Sequence, residues 1–252
     1  MQRLKYKKEP RFMDYHDMLA HLGVGSAHPG GFAATINFLA HYPIAAGTKV
    51  LEVGCGTGRT SCYLAKEGAE VTGLDVRPKM LEKAKTRADR EGVRIDWMEG
   101  DIHRLPFDSE TFDVVFAESV TVFGDIEKVL KEYYRVLTPD GELFDREMAA
   151  MKPVPKGMQQ AIKELYGVKK MPSVTEWLDF LKQAGFQEEE VWNPTALSDD
   201  IYQFIHLEDD ELLSEDSSGD QDSRVQQINL KNSQVMKQYE EYHGYGVFMA
   251  SK

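Results

Sequence analysis

The chain has little that would staple it together or tie it to a membrane. Cys55 and Cys62 are its only cysteines in 252 residues, too few for a disulfide framework and in keeping with a reducing compartment. No window approaches the roughly 20 consecutive apolar residues of a membrane helix. The basic residues near the start lead into no apolar run, so they do not read as a secretory signal. A cytoplasmic location is expected. No His/Cys cluster has zinc-site spacing, so no metal is expected, and internal repeats and proline-rich linkers are absent. Basic residues are in the minority, 30 Lys and Arg against 42 Asp and Glu, for a formal charge of −12. Arg3, Lys5, Lys7, Lys8 and Arg11 cluster, but as a solvated terminus. A nucleic-acid enzyme usually shows a basic footprint, so the balance points away from DNA and RNA.

What is present starts at Val50. The run VLEVGCGTGRT places Val50, Leu51 and Val53 in a strand that does not alternate, as suits a parallel strand covered on both faces. Gly54, Gly56 and Gly58 follow where the chain turns and lets a ligand approach the main chain. Arg59 to Lys66 then reads as a helix whose first N–H groups face the turn. The spacing is neither the G-x-G-x-x-G of a dinucleotide site nor a P-loop ending in Gly-Lys-Ser/Thr. Glu52, at the loop's entrance, would repel a pyrophosphate and suit a cationic ligand better.

Glu70 to Leu74 reads as a second strand ended by Asp75, which lies 21 residues after Gly54. An acid at about that distance is placed to accept from both hydroxyls of a ribose. Met80, Leu81, Ala84 and Ala88 recur at helical spacing, so Pro78 to Glu91 is the following helix. A third strand, Val93 to Met98, leads to Asp101 and Ile102, an acceptor for an exocyclic amine beside an apolar face for a base. Each aspartate also has a plain reading, as an N-cap or a turn residue.

Taken in order, VLEVGCGTGRT, VTGLDVRPKML, EGDIHRLPF, FDVVFAESV and VLKEYYRVLTPDGEL resemble the successive motifs of class I S-adenosylmethionine-dependent methyltransferases. The style is that of the ubiquinone/menaquinone-biosynthesis C-methyltransferases and their small-molecule relatives. The match runs from about Thr48 to Phe144 and says much about cofactor and little about substrate. It implies an α/β fold: a doubly wound, Rossmann-like sheet of seven mostly parallel strands, the last antiparallel and inserted beside the fifth. Residue by residue, it implies that Gly54 and Gly56, in the loop with Glu52, Cys55 and Gly58, border the methionine and ribose of S-adenosylmethionine. Asp75 would hold the ribose, Val76 and Met80 would lie near adenine or sugar, and Asp101 and Ile102 would meet the adenine. Ala117 would offer its carbonyl to the methionine ammonium with Glu118 beside it. Where relatives often carry serine, this chain has Arg77. Cys55 reads as a small residue tolerated in the turn, not as a nucleophile.

The chain length suits one α/β domain with insertions: an N-terminal helical cap over 1–45, a cofactor core over 46–150, a helical insertion over 151–188, and C-terminal strands over 189–252 with an acidic loop and a helix. Three outer segments are candidates for the acceptor chamber. In the first, Tyr15, His16, His21 and His28 precede Pro29-Gly30-Gly31 and a helix carrying Phe32, Ile36 and Leu39. His28 and the N–H groups there either bind a carboxylate or simply make the turn. In the second, Glu147 lies at the carboxyl end of the fifth strand, Glu142 to Met148, on the side where open α/β sheets bind ligands. It is either a substrate anchor or base, or a plain surface acid. The helices Lys156 to Tyr166 and Ser173 to Ala184 follow, the latter with a capping box to Glu176 and Gly185 as its stop. The third lies between strands near Glu189 to Trp192 and Gly246 to Ala250. It holds the acidic loop Glu208 to Asp222, read as solvated, and a helix from Asp222 to about Tyr242. It could act as lid or as the surface of a homodimer.

The expected reaction is in-line displacement of a methyl group onto a small-molecule acceptor, leaving S-adenosylhomocysteine. A base is needed only where the acceptor arrives protonated; His28 and Glu147 are the candidates, with Tyr15 and Glu118 behind them. A non-catalytic binding protein and an aminopropyltransferase-like enzyme remain alternatives. An NAD oxidoreductase is disfavoured by the glycine spacing.

Overall fold

The computed structural model describes residues 13–196 and 222–252. The basic cluster near the start and the acidic stretch preceding Asp222 lie outside the described residues. Seven strands form one sheet: β1 Lys49–Val53, β2 Glu70–Asp75, β3 Asp96–Glu99, β4 Phe112–Glu118, β5 Leu137–Ala150, β6 Gln187–Ala196 and β7 His243–Ser251. Their order is β3-β2-β1-β4-β5-β7-β6. The first five are parallel, and β7 runs antiparallel between β5 and β6. This is the doubly wound sheet with an inserted last strand that the motifs imply.

Eight α-helices are described: α1 Tyr15–Leu22, α2 Gly31–His41, α3 Arg59–Lys66, α4 Pro78–Glu91, α5 Ile126–Val136, α6 Lys156–Tyr166, α7 Val174–Ala184 and α8 Ser223–Gln238. The strands are apolar on both faces because helices cover both. Val50, Val114 and Phe116 face Phe38 of α2 and Cys62 and Leu64 of α3. Their neighbours Leu51, Val115 and Ala117 join the opposite core with Tyr133 of α5, Ile162 of α6 and Trp177 of α7. Trp177 is essentially fully buried, and its Nε1 donates to the Met148 carbonyl at 2.9 Å; burial of one large apolar side chain stabilises by about 1.5–3 kcal/mol.

Several expected boundaries shift for identifiable reasons. The third strand begins at Asp96, not Val93, because Gly92 ends α4 in the left-handed region (φ 67°) and Val93 packs into the core before the sheet is reached. β5 extends to Ala150 because β7 pairs with it along Glu142–Ala150, while β4 covers it only as far as Arg146. The last helix ends at Gln238, four residues early, capped at its start by the Asp222 side chain as expected. The capping box of Ser173 with Glu176 and the stop at Gly185 are both present.

The chain runs from β1 outward to β2 and β3, then returns to the other side of β1 with β4. That reversal opens a crevice at the carboxyl ends of β1 and β4, where ligands bind in open α/β sheets. Helix α1 closes over it. Met18, Leu19 and Ala20 of α1 pack with Met80 of α4 and Val225 of α8, and Arg77 lies against Asp14 and Asp17 (3.9 and 3.6 Å). The arginine that departs from the family's usual serine therefore braces the N-terminal cap.

Candidate active site

A cavity of about 450 Å³ fills this crevice, within the range of small-molecule sites. Glu52, Gly54, Cys55, Gly56, Asp75, Val76, Met80, Asp101, Ile102 and Glu118 all line it, as does His28. Three other sequence-predicted residues do not. Gly58 is the N-cap of α3 (φ 73°), and a Cβ there would strike Trp97 at 2.6 Å and Ala84 at 3.0 Å; its smallness serves helix–sheet packing. Ala117 stays inside the sheet, registered with Val53 and Asp145 and fully buried, and the wall is made by the next residues, Glu118 and Ser119.

Glu147 is the third correction. It is neither a surface acid nor a group that reaches the cavity. Its Oε1 accepts from the main-chain N–H groups of Val120, Thr121 and Val122 at 2.8, 2.6 and 3.3 Å. It therefore hangs the turn after β4 from strand β5. Burial, with the neighbouring Asp145 carboxyl adding to it, raises the Glu147 pKa well above the usual carboxylate range. Asp145 itself is pushed up to about 7 by burial.

The glycine-loop end of the cavity is built mainly from main chain. Gly54 (φ 62°) has no room for a side chain, since a Cβ would lie 2.3 Å from a Val120 methyl. Gly56 (φ 53°) is the reverse case: the space a Cβ would occupy is open, as a cradle for a ligand requires. Asp75 uses one oxygen to accept from Gly56 N at 3.0 Å and the other to accept from Arg77 N at 2.8 Å. Each carboxylate oxygen has a second lone pair, leaving one acceptor site per oxygen for a vicinal diol. Burial raises the Asp75 pKa. Val76, beside it, is 55% exposed, an apolar face left uncovered at the cavity wall. Asp101 accepts from His103 N at 2.9 Å and contacts His103 Nδ1 at 2.6 Å, and those bonds lower its pKa.

The acids near the middle differ in state. Burial pushes Glu52 up to about 8, although Ser61 Oγ donates to it. It therefore holds its proton at neutral pH, which qualifies the expectation of a standing carboxylate there. Glu118 is fixed from several sides: Thr35 Oγ1 (2.8 Å) and Arg146 Nε (3.1 Å) donate to Oε1, and Thr60 Oγ1 (3.1 Å) donates to Oε2. His28 Nε2 lies 3.6 Å from the same carboxylate and 3.4 Å from Thr35 Oγ1. One buried acid thus ties α2, α3, β4 and β5 together at the floor of the cavity. Burial holds the Cys55 thiol well above its ordinary value, so it is inert.

The other end is aromatic. Tyr15 meets Tyr166 edge-to-face at 4.9 Å, and His16 meets Phe123 edge-to-face at 4.4 Å. All four line the cavity, with Ser26 and Ser119. Sequence reasoning located the N-terminal segment but missed Phe123, Tyr166 and Ser119. The position of residues 119–124, directly after β4 at the sheet's reversal point, is a signal that could have found two of them. Tyr166, at the end of α6, carries no such signal. Among the described residues no group of acidic, histidine or cysteine side chains is arranged to hold a metal, and no helix is long and apolar enough to cross a membrane.

Comparison with known proteins agrees with this geometry. Residues 50–141 match the family model described as a methyltransferase domain. The uncharacterized methyltransferase YodH of Bacillus subtilis is 35% identical over 238 residues, 94% of this chain and 99% of the relative. The ubiquinone/menaquinone biosynthesis C-methyltransferase UbiE of Cereibacter sphaeroides is 34% identical over 167 residues, 64% of each chain. In fold, the chain is similar to phosphoethanolamine N-methyltransferase 2 of Haemonchus contortus, solved in complex with S-adenosyl-L-methionine. The TM-score is 0.75 at 20% identity, and the match covers 94% of this chain but 57% of that longer one.

Proposed function

Because the chain belongs to the class I S-adenosylmethionine-dependent methyltransferases, we propose that it methylates a small-molecule acceptor lodged in the aromatic end of the cavity, with the cofactor across the glycine loop. S-adenosylmethionine, when bound, supplies a methyl group already activated on a sulfonium. Asp75 holds the ribose diol with the lone pair left on each oxygen, while Val76, Met80 and Ile102 present apolar surface to the base and sugar. Asp101 faces the base's amine, Gly54 and Gly56 admit the methionine portion, and Glu118 with His28 supplies fixed polar groups beside it. Glu52 is the acid that a sulfonium would ionise.

What the chain then contributes is alignment. Holding acceptor and methyl group in line within one cavity can supply up to about 7–11 kcal/mol of the barrier in favourable cases. The observation that supports this reading is that Asp75, with acceptor lone pairs to spare, and the aromatic chamber line one continuous cavity. The formal charge of −12 and a chamber of this size favour a small acceptor over nucleic acid. The test is to incubate the protein with S-adenosylmethionine labelled in its methyl group and a panel of aromatic and terpenoid hydroxyl compounds. Label in an extractable product, with S-adenosylhomocysteine formed in equal amount, is the expected outcome. Cofactor binding with no product from any acceptor class would instead favour a non-catalytic binding protein.

A further inference from the structure

Methyl transfer to a protonated acceptor releases a proton, and the groups lining the cavity can be asked in turn which one takes it. Asp75 and Glu118 are engaged as described, Glu52 already holds a proton, and Asp101 is a weakened base. His103 uses both ring nitrogens, one against Asp101 and Nε2 to accept from Asp125 N at 2.9 Å. His28 is held against Glu118 and Thr35. Burial keeps the Tyr15 hydroxyl protonated, its pKa raised to about 12, and Tyr166 is raised further still. His16 is different. Its Nε2 is buried and has no hydrogen-bond partner among the described residues, yet the residue lines the cavity. Ser26 Oγ and Ser119 Oγ, in the same cavity wall, are likewise buried and unpartnered. A buried polar atom without a partner costs about 1–3 kcal/mol; three residues of one cavity wall each carry such an atom, and a ligand with hydrogen-bonding groups of its own would satisfy them once those side chains turn toward it.

We propose that the aromatic end of the cavity is the acceptor subsite, that it takes a flat, uncharged molecule bearing a hydroxyl group, and that His16 Nε2 receives the proton of that hydroxyl as its oxygen is methylated. The proposal rests on the methyltransferase reading above. Tyr15, Phe123 and Tyr166 offer ring edges and faces to a flat molecule, and Arg77, the charged cavity residue whose field reaches His16, is already engaged by Asp14 and Asp17. The hydroxyl oxygen forms its bond to the methyl carbon, the carbon–sulfur electron pair goes to sulfur, and the hydroxyl proton moves to Nε2. Positive charge therefore passes from sulfonium to imidazolium and none is created. Burial and Arg77 hold the ring neutral, outweighing the opposite influence of Asp14 and Asp17; its pKa is lowered to about 4. A base that weak suffices, because an oxygen undergoing alkylation is far more acidic than the free hydroxyl.

The test uses 4-nitrophenol, whose neutral form, anion and methyl ether differ in absorbance, buffered about one pH unit below the phenol's own pKa so that it is mostly neutral, with the full chain saturated with S-adenosylhomocysteine or S-adenosylmethionine. S-adenosylhomocysteine is first titrated into wild type, His16→Phe and His16→Gln; loss of binding by the wild type would sink the methyltransferase reading, not this one. Given equal cofactor binding, His16→Phe, which keeps a ring against Phe123, should bind the phenol at least tenfold more weakly. His16→Gln, which keeps a hydrogen-bonding group but no base, should recover KM while kcat stays at least tenfold down. Phenol binding by His16→Phe equal to wild type, full kcat in His16→Gln, or no phenol binding by cofactor-loaded wild type would each overturn the proposal.

Discussion

The two ends of the cavity are built by opposite strategies. The glycine-loop end, proposed for the nucleoside, is drawn from residues 52–102 and relies on backbone shape: two positive-φ glycines and an acid clamped by two main-chain N–H groups. The aromatic end, proposed for the acceptor, collects Tyr15 and His16 from α1, Ser119, Val120 and Phe123 from the turn after β4, and Tyr166 from α6, so it relies on side chains that meet only when the fold is complete. A site made of backbone is specific for one ligand and tolerant of its surroundings. One made of side chains is easily changed, which suits the half that must differ between enzymes using a common cofactor.

The sharpest way to break the comparison is at Asp75. Asp75→Ala should weaken S-adenosylmethionine binding by about 1.5–3 kcal/mol, the scale of hydrogen bonds to a charged group, with the acceptor end unaffected. Calorimetric titration giving the parent affinity would remove Asp75 from the cofactor's contacts.

Next in size is Glu147, which supports the acceptor end from beneath. Glu147→Ala leaves three main-chain N–H groups without their acceptor and should lower stability by about 1–3 kcal/mol, read as a fall in denaturation midpoint. Glu147→Gln should be much milder. With its pKa raised by burial, Glu147 is a neutral carboxylic acid that an amide imitates, oxygen acceptor included. Equal destabilisation by both variants would contradict the suspended-turn role.

The smallest expected effect separates the sulfonium from the rest of the cofactor. Glu52 ionises only near pH 8 in the empty cavity, and an arriving cation favours its ionised form, so binding expels a proton. Affinity for S-adenosylmethionine should therefore rise with pH between about 6 and 8, while S-adenosylhomocysteine, lacking the sulfonium charge, should show a shallower rise. One released proton sets a ceiling of about tenfold per pH unit, and a few-fold change in the ratio of the two affinities is expected. A ratio independent of pH would place the sulfonium away from Glu52.

The same contrast governs what could be read from residues in order. Gly54, Gly56, Asp75 and Asp101 lie at fixed separations because each ends or follows a strand of one parallel run, so spacing alone carried them. The seven-stranded fold came from the resemblance of the motifs taken in order, whereas the capping box at Ser173 was legible from its own few residues. Glu147 was placed at the right end of the right strand, but periodicity does not say that the turn after β4 folds back over it and consumes its acceptor oxygen. His16 was visible only as one histidine among several, since nothing near it in the chain announces Phe123 or Tyr166. Gly58 was misassigned because a glycine needed for helix packing and one needed for ligand approach look alike until Trp97 is placed across the sheet.

Val120 occupies the space that any side chain at position 54 would need. The two halves therefore meet at one interlocking pair, and neither can be enlarged alone. Directed evolution toward bulkier substrates that remodels the 119–123 segment should meet its limit at this contact. Variants that pass it would be expected to trim Val120 first, and only then to tolerate a side chain at position 54.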